Sequence, residues 1–213
     1  MSFHHVVQLL EQRELFFAHP STWEDPYETR LIHQQSHKVY SQCWCSIGAS
    51  DAMWRIYSPN HLGVRISTST KKLRQALDRA KRSQDFEYRV GDVSYLKQFA
   101  LNQKTKIVHE ELASSFSLEK AIDLLYLKRV AFDHEAECRA VIMCPNARPE
   151  DVVSGYKVKV NPNTLIDSIL IDPRAPNELA EALIYYLKEK VGFKKRVERS
   201  VLYKTPRALV VEL

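Results

Sequence analysis

In the stretch FDHEAECRAVI, residues 132–142, Glu135, Glu137 and Arg139 alternate with Ala136, Cys138 and Ala140. If the stretch is a β-strand, side chains two apart share a face. The three charged groups then stand in a row ~6–7 Å apart, and Ala136, Cys138, Ala140 and Ile142 face a core. Two carboxylates so placed repel unless cations or hydrogen-bond donors answer them. Arg139 answers one, and Lys128, Arg129 or Arg65 is available for the other. The pattern fits two readings. Either the carboxylates line a working cleft, or they form a buried ion cluster that holds the fold, because a buried charge requires a partner in both cases.

Other stretches offer chemistry of their own. WEDPYE carries three carboxylates, but Asp25 at an N-cap, Pro26 at N1 and Glu28 at N3 make a capping box that explains most of it. Capping leaves Trp23 and Tyr27 unexplained. AMWRIY puts Met53, Trp54 and Tyr57 on adjoining parts of one helical face, with Asp51 and Arg55 spaced i,i+4. That face packs in a core, or it presents rings on which a base or nicotinamide stacks. His33, His37, Cys43 and Cys45 are the right number of ligands for tetrahedral zinc. Their spacing matches no standard zinc module, so no metal is expected. KKLRQALDRAKR and KEKVGFKKRVER are interleaved with acids or lie on amphipathic helices, and read as solvated faces.

These groups need elements to position them. Helical spacing predicts helices over HHVVQLLEQ, after WEDPYE, over SDAMWRIYS with Ser50 as N-cap, over STKKLRQALDRAKRS and over PNELAEALIYYLKEKVG. A further helical stretch runs from about Lys106 to Lys128 with a break near Ser114–Ser117. Strands are expected at ELFFAH, KVYSQCWCSI, LGVRIST, the charged stretch, SGYKVKV, DSILID, RVERSVLY and ALVVEL. FEYRVGDVSYL reads as a hairpin turning at Gly91-Asp92. Helices and strands are interspersed without regular βαβ spacing. The fold class is therefore α+β, with a mixed, mainly antiparallel sheet and flanking helices. At 213 residues the chain is expected to form a single domain. Its core should contain Phe16, Trp44, Val64, Ile66, Ile142, Ile169 and Ile171.

Composition narrows the function. The five glycines are scattered, so neither GxGxxG nor a Walker loop can form, which excludes Rossmann-type and P-loop phosphate binding. A formal charge of +5 suits an anionic small molecule or nucleic acid without requiring either. The four cysteines are expected as reduced thiols. No apolar run approaches a membrane span and no signal pattern opens the chain, so a cytoplasmic location is expected.

Taken in order, WEDPYE, VYSQCWCS, DAMWRIYS, GVRISTSTKKLRQAL, VSYL, LKRVAFDHEAECRAVI, IDSILIDPRA and VERSVLY resemble a widespread bacterial family catalogued as a domain of unknown function. The resemblance covers nearly the whole chain. It implies an accessory, defence-related setting and no defined activity. Relatives often begin with an aromatic–Arg–aromatic strand. This chain opens MSFHH, so that strand is expected to be absent or to lie upstream of the given start. A weaker similarity is to the ADP-ribosyltransferase fold, whose late strand carries an E-x-E pair. Glu135 and Glu137 match that pair.

The similarity implies an NAD-using ADP-ribosyltransferase-like or NAD-hydrolysing enzyme with a defence or toxin role, and NAD as substrate. In that reading Glu137 holds the ribose hydroxyl and stabilises an oxocarbenium-like transition state, with Glu135 assisting. Trp54 or Tyr57 stacks, and Arg129 or Arg139 meets phosphate. The alternative is a non-enzymatic binding module for nucleic acid or a partner protein, in which Glu135, Glu137 and Arg139 are structural.

Overall fold

The computed structural model describes residues 1–48 and 50–206. In chain order the first elements are α1 (Phe3–Gln12), β1 (Glu14–Phe17), β2 (Val39–Cys45), α2 (Asp51–Tyr57), β3 (Val64–Ser67) and α3 (Thr70–Ala80). There follow β4 (Glu87–Asp92), β5 (Ser94–Leu96), α4 (Gln98–Ser114), α5 (Leu118–Asp123), β6 (Leu127–Arg129) and β7 (Glu137–Met143). The last are β8 (Tyr156–Lys159), α6 (Pro162–Leu165), β9 (Ser168–Ile171), α7 (Asn177–Tyr185) and β10 (Arg196–Arg199). Helices and mostly antiparallel sheets mix along the chain, so the fold class is α+β.

Backbone contacts group these elements into two units, between which the chain alternates. One comprises Met1–Arg13, Ala49–Ser69 and Asn161–Leu213. Its sheet has the order β10-β9-β3, with β10 parallel and β3 antiparallel to β9. Val64, Ile66, Ile169, Ile171 and Val197 are buried there, each contributing about 1.5–3 kcal/mol. In α1 the buried residues Val6, Leu9 and Leu10 follow helical spacing. In α2 the Ser50 hydroxyl accepts from the Met53 N–H at 3.4 Å, as its N-cap position predicts. Beyond the C-terminal end of α2, Arg174 pairs with buried Asp172 and donates to the carbonyls of Trp54 and Ser58.

The other unit comprises Glu14–Gly48 and Thr70–Val160. Its main sheet is antiparallel, in the order β2-β7-β4. β1 pairs antiparallel with β8, and β5 pairs parallel with β6. As the central strand, β7 is buried on both faces from Glu137 to Ile142. Leu101, Val108, Leu112, Ala121, Leu124 and Leu127 form one apolar cluster of this unit, with Tyr27 and Leu31 packed against it.

Several expectations are corrected. No helix follows WEDPYE. Asp25 instead caps a turn, its Oδ1 accepting from the Tyr27 N–H and its carbonyl from the Glu28 N–H, both at 3.0 Å. Glu28 is drawn away from the capping box by buried cations. FEYRVGDVSYL is not a hairpin, because β4 spends its hydrogen bonds on β7 and β5 pairs with β6. Gly91 lies within β4 opposite Arg139, where an added Cβ would touch the Tyr126 ring at 3.4 Å. The charged stretch is a strand only from Glu137, since Val130–Glu135 is a 3-10 turn and Ala136 is left-handed at φ 41°. Phe16 is 49% exposed and Trp44 only partly buried, because β1 and the end of β2 each leave a face uncovered. The ALVVEL strand lies outside the described residues.

Candidate functional site

The site grows from β6, β7 and the turn that opens at Trp23. β7 carries Glu137 and Arg139 on one face, β6 carries Lys128, and the 3-10 turn between them carries Glu135. The left-handed residue Ala136 separates the two glutamates, yet both still reach one ammonium. Lys128 Nζ donates to Glu137 Oε1 at 2.5 Å and to Glu135 Oε2, and lies 3.6 Å from Glu28 Oε2. Arg139 donates through Nε to Glu137 Oε2 at 2.6 Å, through Nη1 to the Leu125 carbonyl at 2.6 Å, and through Nη2 to Glu28 Oε1. All five side chains belong to residues at most 8% exposed. The Glu137 N–H is taken up by the Tyr95 hydroxyl at 2.7 Å.

A second, more open pair lies beside this network. Arg129 grips Asp25 with two hydrogen bonds, Nη2 to Oδ1 at 3.0 Å and Nε to Oδ2 at 3.2 Å. Its guanidinium carbon lies 4.4 Å from the Tyr27 ring centre and 5.3 Å from that of Phe132. Trp23 covers Arg139 in the same way at 4.3 Å. Thus the two rings that helix capping left unexplained stack on the cations of residues 129 and 139. Trp23, Asp25, Tyr27 and Glu28 form one half of the assembly, and the 128–139 segment forms the other.

Three carboxylates face two cations, so the buried network holds one more negative than positive charge. The proton affinities divide accordingly. Burial raises the Glu28 and Glu135 carboxyls above their ordinary value. Burial acts the same way on Glu137, but hydrogen bonds from Glu135, Arg139 and Lys128 outweigh it and hold Glu137 well below the carboxylate range. Glu28 and Glu135, rather than Glu137, are therefore where the network accepts a proton. Cys43 stands opposite Arg139 across β2 and β7; desolvation, reinforced by its hydrogen bond to Glu137, pushes its thiol up to about 12.

Of the residues singled out from the sequence, Glu135, Glu137, Arg139 and Arg129 come together. Lys128 is the cation that answers both glutamates. Arg65 on β3 belongs to the other unit, as do two residues of α2, Trp54, which is buried, and Tyr57, which is 53% exposed. Among the described residues, no three His, Cys, Asp or Glu side chains are grouped so as to hold a metal. Nor, among them, is any helix long and apolar enough to cross a membrane.

Glu28 also lines a pocket of about 220 Å³ in the same unit. Its other walls include His19, His33, Val39, Ile122 and Leu125. His19 is fixed: its Nδ1 accepts the Ser21 N–H at 3.1 Å, so Nε2 donates to the Ser36 carbonyl at 3.0 Å. Burial lowers the pKa of both histidines, which keeps the imidazoles neutral. Periodicity carries no sign of this pocket, because its walls come mostly from the 19–38 segment, which holds little regular structure, and from the end of α5.

Matching this chain to protein families separates the two halves of the network. Residues 53–140 match the family described as Protein of unknown function (DUF2971). The matched segment contains Lys128, Arg129, Glu135, Glu137 and Arg139, and stops short of Trp23, Asp25 and Glu28. Neither the curated proteins nor the solved structures contain a match.

Proposed function

We propose that this protein is a non-enzymatic binding module, and that its charged cluster is a structural clamp. The observation that carries this reading is the saturation of the cluster. Every carboxylate of the network meets Lys128 or Arg139 at hydrogen-bond or ion-pair distance, inside the protein. A glutamate that grips a ribose hydroxyl must reach solvent. Glu137 is 7% exposed and would have to abandon Lys128 or Arg139 to do so. Arg139 is 1% exposed and Arg129 is held bidentately by Asp25, so neither offers a free fork to phosphate.

The clamp has a mechanical consequence. It ties the turn after Trp23 to the central strand β7 across a sequence separation of 111 residues between Glu28 and Arg139. The segment so held, residues 19–38, has few backbone hydrogen bonds of regular structure and would otherwise be a long mobile loop. Held in place, it walls the pocket at Glu28. Rigid support of an irregular recognition loop is how binding sites are commonly built.

The test is incubation of the wild-type protein with NAD, with and without candidate acceptors, while free nicotinamide is measured. No release above a buffer blank is expected. Release that Glu137→Gln abolishes at unchanged melting temperature would overturn the reading and return Glu137 to catalysis.

A further inference from the structure

We infer that the outward face of α4 pairs with the same face of a second copy of this chain, the two helices lying side by side and antiparallel. The pairing is independent of the clamp.

The helix carries apolar residues on two faces. Leu101, Val108 and Leu112 are buried in the core of their unit, and their helical spacing accounts for the packing of α4 within the chain. Phe99 and Ile107 lie off that face, 73% and 55% exposed. With exposed Gln103 between them they are spaced i, i+4, i+8, and so form one row along the helix. Apolar residues scattered singly over a surface are ordinary, but apolar surface grouped on one element marks an interaction site. Arg30 widens this one. It donates to Asn102 Oδ1 at 2.7 Å and to the Leu101 carbonyl at 3.2 Å, which fastens its own segment beside α4, and Ile32 in that segment is 89% exposed.

Charge identifies the partner and its direction. Lys97, at the N-cap, Lys104 and Lys106 precede Glu110 and Glu111, and all five are exposed. No acid lies in the first turn of α4 and no base in the last. A helix dipole favours the reverse order, so the dipole of α4 does not account for this one. Lys106 lies 3.8 Å from Glu110, and Lys120 lies 2.7 Å from Glu111. Lys97 meets no carboxylate among the described residues. A second α4 laid antiparallel brings the acidic half of each helix to the basic half of the other, and sets the two dipoles head to tail. A parallel partner would oppose like charges.

With Gln103 at the two-fold axis, Phe99 of each copy lies on Ile107 of the other, and Glu110 of each comes to Lys97 of the other. The contact is isologous and closes at two copies. At 17 residues α4 is about 25 Å long. One helix pair of that length buries less than the ~1,200 Å² at which stable interfaces begin, so the dimer is a weak, reversible one, with a dissociation constant on the order of 10–100 μM.

Sedimentation velocity of the full chain, from about 5 to about 500 μM, spans that constant. The sedimentation coefficient should rise from that of a monomer towards that of a dimer across the range. Phe99→Glu places a carboxylate in the apolar row of both copies and should loosen the dimer at least roughly tenfold. Lys97→Glu should loosen it roughly three- to tenfold, since two exposed ion pairs become two repulsions. Adding Glu110→Lys to Lys97→Glu reverses both members of the pair and should bring the affinity back towards wild type. These side chains are exposed, and melting curves check that each variant folds; if Phe99→Glu does not, the charge reversal decides alone. A wild type that stays monomeric to the highest concentration would overturn the inference. So would a dimer indifferent to Phe99→Glu, or a double variant that binds no tighter than Lys97→Glu.

Discussion

Lys128→Met deletes the one cation shared by three carboxylates while keeping a side chain of similar length. Its Nζ lies 2.5 Å from Glu137 and 3.6 Å from Glu28, and also pairs with Glu135. At an effective dielectric of ~20, a unit pair at about 3.6 Å is attracted by roughly 5 kcal/mol, which desolvation partly offsets. Breaking such a buried arrangement costs about 3–5 kcal/mol, because it strands charges in the interior. For a chain of this size that is a fall in melting temperature of roughly 6–20 °C. Urea denaturation and calorimetry of the purified variant read it. Adding Glu135→Gln to Lys128→Met removes one stranded carboxylate and should recover about 0.5–3 kcal/mol as a coupling energy. A loss below about 1 kcal/mol for Lys128→Met, the range of surface pairs, would refute the clamp.

Further outcomes follow from the same geometry. Glu135→Gln should be mild, within about 1 kcal/mol, since it balances the network at two carboxylates and two cations and an amide oxygen can still accept from Lys128; a denaturation midpoint far below wild type would contradict this. Folded-state carboxyls raised above the ordinary value of 4.5, as in Glu28 and Glu135, contribute stability that is fully present below pH 4.5 and lost as pH rises through their folded pKa values. The depressed Glu137 contributes stability that is present above pH 4.5 and lost as pH falls through its folded pKa. Stability should therefore decline from pH 4.5 towards neutrality less steeply in Glu135→Gln than in wild type, as pH-dependent denaturation would show. Gly155→Ala should cost about 1–3 kcal/mol, because Gly155 sits at φ 66° and an added Cβ would meet the Phe16 ring at 2.4 Å; an unchanged melting curve would refute it.

Much of the fold was legible where periodicity is local. The spacing of Val6, Leu9 and Leu10 gave α1, the Ser50 cap gave α2, and apolar alternation gave β3 and β9. The Ser114–Ser117 break fell where α4 gives way to α5. Failures came where distant partners decide. Gly91-Asp92 looks like a turn in isolation, and only pairing with β7 makes it the end of a strand. Asp25-Pro26 with Glu28 carries every local sign of a helix start, but buried Arg139 and Lys128 compete for the Glu28 carboxylate and win. At the candidate site, the sequence identified Glu135, Glu137 and Arg139 and proposed Lys128 among their partners. It could not reveal that Glu28 completes the network, because that contact spans 111 residues. The pocket at His19 and His33 left no periodic trace at all.

The most direct test of the clamp is a double-mutant cycle across that contact, with Glu28→Gln and Arg139→Gln made singly and together and each unfolding free energy measured in urea. A clamp predicts single losses of about 3–5 kcal/mol for Arg139→Gln and a coupling energy of about 1–3 kcal/mol between the two sites. Additive losses, with coupling indistinguishable from zero, would mean that Glu28 and Arg139 do not hold each other and that the charged strand is free for some other use.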